Sequence, residues 1–272
     1  MTAAEIFELL SYPFVARALL VGLMVSLCAS MLGVILVLKR YSMIGHGLAE
    51  VGFAALSVAL AFDLPALYVS APIVVAASFA IMFVSQRRKV DGDVAIGIAS
   101  SAALAFGVIV TAMTRGMNLD VCGYMFGSIL AMTNEDVVLS VVLSCFVTGA
   151  FVLFYNRLFL VTYNEDYARS LGINVTGCQF LISFLTALTV VLGMRMMGTL
   201  LISSLIILPA VTARRLVSSF RALVVLAACL SLLCFTVGLA ASFLWNLPTG
   251  ASVVCVNVAA LLASGLLARL RR

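Results

Sequence analysis

Residues 32–56 read LGVILVLKRYSMIGHGLAEVGFAAL. An apolar run ends at Leu38, two basic residues follow, and a second apolar run opens at Met43. A helix needs about 20 apolar residues to cross a hydrocarbon core of about 30 Å. The stretch therefore reads as the end of one membrane span, a basic turn, and the start of another. The second run also holds His46, the only histidine of the chain, and Glu50 four residues on.

The same pattern extends outward over all 272 residues, of which 64% are hydrophobic and 10% charged. Mean hydropathy is +1.24, and a soluble domain carries about 25% charged residues. The expected fold is all-α, a polytopic transmembrane helical bundle forming one domain, residues 1–272. Nine spans are expected, at 14–38, 43–62, 65–85, 94–113, 136–155, 175–194, 196–213, 218–243 and 247–268. Eight remain if 43–62 or 196–213 crosses only in part. Residues 1–10 hold Glu5 and Glu8 and no basic residue. They lack the positive n-region of a signal peptide, so the first span is expected to stay in the mature protein.

The net charge is +5, but the basic residues form short clusters between apolar runs and not one face. Lys39-Arg40, Arg87-Arg88-Lys89, Arg157, Arg214-Arg215 and Arg269 to Arg272 fit cytoplasmic loops under the positive-inside rule. Nucleic acid is not an expected partner. The N-terminus is expected outside and the C-terminus in the cytoplasm, with Arg115 and Arg195 as exceptions on the outer side. No two of the seven cysteines have CxxC spacing, so they read as small packing residues. Two longer loops interrupt the spans. Residues 114–135 include Tyr124 to Leu130, expected as a short interfacial helix. Residues 156–174 include NEDYARSLGI, expected as a short cytoplasmic amphipathic helix ended by Gly172.

No GxxxxGK[ST] or GxSxG motif is present, so any ATP must be bound by another chain. The DGD at 91–93 lies in a basic loop, a poor setting for intramembrane aspartyl chemistry. Glu50 is the one acidic residue assigned to a span interior. A charge at membrane depth costs roughly 2.5–3.5 kcal/mol on insertion scales and marks a cavity or a partner. His46 and Glu50 share one helix face, with Gly45, Gly47, Ala49 and Gly52 around them to let other helices approach. Imidazole and carboxylate suit zinc, manganese or iron. The same pair also serves elsewhere as a structural hydrogen bond that fixes helix packing. Met194, Met196 and Met197 offer thioethers for soft ions, but gap filling is their commoner use. Pro209 is expected to bend its span, and Pro248-Thr249-Gly250 to make a turn.

Four stretches carry a family resemblance. Residues 32–56, YNEDYARSLGI at 163–173, GTLLISSLIILPAVTARRL at 198–216 and LPTGASVV at 247–254 follow in order along the chain. Together they resemble the integral-membrane permeases of ABC importers for zinc, manganese and iron. The resemblance implies two permease copies lining one path in the bacterial plasma membrane and two copies of a separate cytoplasmic ATP-binding subunit. It also implies an extracytoplasmic metal-binding protein that delivers the ion. The ATPase would dock on Glu165, Asp166, Tyr167, Ala168, Arg169, Leu171 and Gly172. The family's Gly-Asp-x-Leu-Ser-His segment matches Gly45 to Glu50, so His46 falls at its Asp and Glu50 at its His. The ligand types are kept and their order is exchanged. No permanent cofactor is implied; the metal is cargo.

Two other readings stay open. An ion-coupled secondary transporter or channel would work without an ATPase, using His46 and Glu50 as its ion site; such folds show paired halves, and no internal repeat is visible. An intramembrane enzyme with His46 as base ranks last, since no nucleophile stands at motif spacing.

Overall fold

The computed structural model describes residues 13–64, 66–88, 92–114 and 134–270. The N-terminal ten residues, Cys122 and the expected Tyr124–Leu130 helix lie outside the described residues. Among those described are eleven helices: α1 (Pro13–Leu38), α2 (Ile44–Ala61), α3 (Ala66–Arg88), α4 (Gly92–Met113), α5 (Asn134–Leu153), α6 (Tyr155–Tyr163), α7 (Glu165–Ser170), α8 (Val175–Met197), α9 (Thr199–Leu216), α10 (Phe220–Trp245) and α11 (Thr249–Leu270). Nine of them coincide with the nine expected spans. Eight are long and apolar enough to cross a membrane, and the weaker ninth is α3, whose apolar stretch is Tyr68–Val84. The doubtful span is thus neither 43–62 nor 196–213. The helices α4 and α5 also begin earlier than expected, so Asp93, Glu135 and Asp136 fall in their first turns.

α1 is the axis of the bundle. It packs against α5, α8, α9 and α10, and Val21, Val25, Ala29, Leu32, Ile35 and Leu36 on it are all buried. A helix apolar on every side belongs in such a position. Close approach depends on small residues. A Cβ on Gly33 would lie 1.9 Å from the Ile206 carbonyl oxygen of α9, so α1 and α9 touch backbone to backbone. Hydroxyls supply other links: Ser231 of α10 donates to the Ser26 carbonyl of α1 at 3.0 Å, and Ser78 of α3 donates to the Ser183 carbonyl of α8 at 3.1 Å. The outer helices α4, α5 and α11 bury only a minority of their residues within the chain, as a lipid-facing or partner-facing wall would.

The helix ends follow from local chemistry. α8 passes into α9 through Gly198 at φ +88, a conformation that other residues adopt only under strain. Asn246 in the left-handed region ends α10, and the turn through Pro248 is held by Ser242, which donates to the Leu247 carbonyl at 2.7 Å. Met194, Met196 and Met197 are buried in the core, in keeping with gap filling. Among the six cysteines described, all are free thiols.

The α1–α9 contact gives a paired prediction. Gly33→Ala has a backbone atom in its way and should destabilise the fold by about 1–3 kcal/mol. Gly149→Ala on α5 has open space around its new methyl and should be neutral or stabilise by up to about 1 kcal/mol. Thermal unfolding in mild detergent reads both; equal midpoints would contradict the packing described.

Candidate functional site

The helices α2 and α4 run side by side in the same direction, as their contacts show. The Met43 N–H donates to Asp93 Oδ1 at 3.2 Å, a Cβ on Gly47 would meet Ile96, and Thr111 of α4 donates to Ser57 of α2 at 3.2 Å. On its other side α2 meets α9, where Gly45 faces Ile206. The two glycines that flank His46 therefore let a helix close in from each side. Between these contacts His46 Nε2 lies 3.1 Å from Glu50 Oε1. Ser100 of α4 donates its hydroxyl to Glu50 Oε2. The His46 side chain is 45% exposed and that of Glu50 16%, so the imidazole looks out of the chain while the carboxylate is held in the seam.

Glu50 is the seventh residue of α2, about 9 Å along its axis at 1.5 Å per residue. The pair thus sits in the first two turns, at the end that carries Lys39-Arg40. Ser100 is not singled out by the sequence, and Asp93, read there as part of a DGD loop, lies in the first turn of α4. The only local signal for Ser100 is a polar pair, Ser100-Ser101, inside an apolar span. Among the described residues no three His, Cys, Asp or Glu side chains gather into a metal-binding group. What one chain offers an ion is the imidazole, the carboxylate and the neighbouring hydroxyl.

The second region is the surface segment α6–α7. The α6 helix was not anticipated; the expected loop 156–174 is helical on both sides of Asn164. Asn164 caps α7, its side chain accepting from the Tyr167 N–H at 3.0 Å. Gly172, at φ +75, ends it. The Ile173 N–H reaches the Ala168 carbonyl and the Gly172 N–H the Arg169 carbonyl, the paired bonds of a Schellman cap. Asp166, Tyr167, Arg169, Leu171 and Gly172 are exposed. Ala168 is buried against Val161, Val175 and Cys178, so it lies beneath α7 and not on its outer face. Glu165 turns toward the bundle: its Oε1 accepts from Lys39 Nζ at 2.8 Å and from Gln179 Nε2 at 2.9 Å.

Tyr163, Tyr167 and Leu171 stand four residues apart and are all exposed. Clefts border the segment on two sides. One of about 610 Å³ is lined by Phe154, Arg157, Leu171 and Ile173; another of about 460 Å³ is lined by Leu38, Tyr163, Arg214, Arg215 and Phe220. Lys39, Arg157, Arg214 and Arg215 are thus gathered at one end of the bundle. Arg195, an exception to the charge rule, has its own partner, Asp136, at 2.9 Å. That bridge joins the last turn of α8 to the first turn of α5, each charge suited to its helix end.

The chain is similar to known transport proteins over nearly its full length. It is 26% identical over 248 residues to the manganese transport system membrane protein MntC of Listeria monocytogenes, covering 91% of this chain and 88% of that one. It is 28% identical over 237 residues to the high-affinity zinc uptake system membrane protein ZnuB of Haemophilus influenzae, covering 87% and 91%. Its fold matches a chain of PsaBC from Streptococcus pneumoniae in complex with Fab, with a TM-score of 0.84 at 24% identity, covering 97% and 95%. The profile of the ABC 3 transport family matches residues 11–268, so the chain belongs to that family, as a multi-pass transport component of the bacterial inner membrane.

Proposed function

We propose that this chain is the membrane-spanning permease of an ATP-driven importer for a divalent transition-metal ion, manganese or zinc. The observation that carries the reading is the His46–Glu50 pair. A half-exposed imidazole at the level of a membrane span would face hydrocarbon if the chain stood alone, at a cost of solvation. Facing a second copy across an ion path removes that cost and brings another His–Glu pair to the same path. Imidazole nitrogen and carboxylate oxygen then supply ligands of the kind these ions take. The manganese and zinc systems of the relatives support the choice of ion.

The exposed face of α7 is the docking place for a separate ATPase, through Asp166, Tyr167, Arg169, Leu171 and Gly172, with Glu165 at its edge. The basic residues collected at the α7 end support a cytoplasmic location for it. The N-terminus is then outside, the C-terminus inside, and an extracytoplasmic metal-binding protein delivers the ion at the far end.

His46→Ala and Glu50→Ala should each lower metal uptake into cells at least tenfold while the permease–ATPase complex still purifies intact. Normal uptake in both would remove the pair from the path. Tyr167→Asp and Leu171→Asp should release the ATPase on affinity purification, with the permease still folded by size-exclusion chromatography. Full retention of the ATPase in both would overturn the docking face.

A further inference from the structure

We infer that Lys39 is a positioning residue for transport: with Glu165 and Gln179 it forms a latch that ties α7 to the start of α2. The inference rests on the reading that α7 receives the ATPase. Lys39 closes α1, and its side chain is only 7% exposed, whereas that of Glu165 is 43% exposed. A buried cation at the foot of a span is therefore neutralised by a carboxylate on a surface segment. Gln179, buried on α8, donates to the same oxygen at 2.9 Å. Two donors from two spans converge on one acceptor of α7.

The turn that follows leaves little slack. Arg40 sits at φ +61, the Tyr41 N–H reaches back to the Leu36 carbonyl at 2.9 Å, and the Ile44 N–H reaches the Tyr41 carbonyl at 3.2 Å. Tyr41 also packs on Gly92, and the Met43 N–H is held by Asp93 of α4. His46 comes seven residues after Lys39. A displacement of α7 pulls on Lys39, and the tight turn passes it to the helix pair that holds His46, Glu50 and Ser100. The pair itself touches none of the path residues.

The test uses the full permease–ATPase complex in sealed vesicles, reading ATPase retention, ATP hydrolysis and uptake of manganese or zinc. Lys39 is buried and off the docking face, so Lys39→Gln should keep the ATPase bound and hydrolysing. Metal moved per ATP should fall at least tenfold. The reversed pair, Lys39→Glu with Glu165→Lys, should recover the ratio to within about threefold of wild type, because the two charges still meet; a merely structural lysine would leave the ratio unmoved in Lys39→Gln. An unchanged ratio in Lys39→Gln, or no recovery in the reversed pair, would overturn the latch. Should Lys39→Gln fail to fold, Gln179→Leu, buried on α8 and off the docking face, carries the same test, with a threefold to tenfold lower ratio expected and an unchanged one contradicting it. If Tyr167→Asp and Leu171→Asp still hold the ATPase, the docking reading fails first and takes the latch's coupling role with it. If they release it while Lys39→Gln couples normally, the latch alone is wrong.

Discussion

Hydrocarbon offers no hydrogen bonds, and that constraint shapes the rest of this structure. Backbone polar groups must be satisfied within helices, so the chain is helical wherever it crosses. Many hydroxyls are handled the same way: Thr186 donates to the Ile182 carbonyl and Thr189 to the Leu185 carbonyl, one turn back on their own helix. Helix association cannot draw on water exclusion inside a bilayer and depends on close contact and polar links. Gly33 against Ile206 and Ser231 against Ser26 are contacts of those two kinds. Several of the charged groups that remain have partners. Lys39 has Glu165, Arg195 has Asp136, and Glu50 has His46 and Ser100.

Much of this was legible in the sequence because hydropathy reports the same constraint. The nine long helices fall where the apolar runs predict. Gly172 ends α7 because its place after a short polar helix calls for a left-handed residue, and the four-residue spacing of His46 and Glu50 fixes their common face. What stayed hidden depends on distant partners or on a break inside a continuous pattern. Ser100 meets Glu50 across 50 residues, and Gln179 meets Glu165 only once α8 stands beside α7. The α5–α6 break at Phe154 has no proline or glycine to mark it. Ala168 fits the exposed segment by sequence, yet it lies buried against Val161 and Val175 beneath it.

The two regions proposed to function share one end of the bundle. The pair on α2 lies within two turns of the basic turn, and α7 is fastened to that turn through Lys39. A permease must link a metal path to a partner that burns ATP outside the membrane, and a short mechanical route between them suits that task. The exchanged order of His46 and Glu50 relative to the family segment keeps both donor types. It places the imidazole at the exposed position and the carboxylate in the seam against α4.

The most direct measurement is uptake of radioactive manganese or zinc into sealed vesicles holding this chain, with and without its partner ATPase and ATP. Uptake that requires both the ATPase and ATP is the expected result. Uptake by the chain alone, driven by an ion gradient, would contradict the permease account and favour a transporter that works without an ATPase.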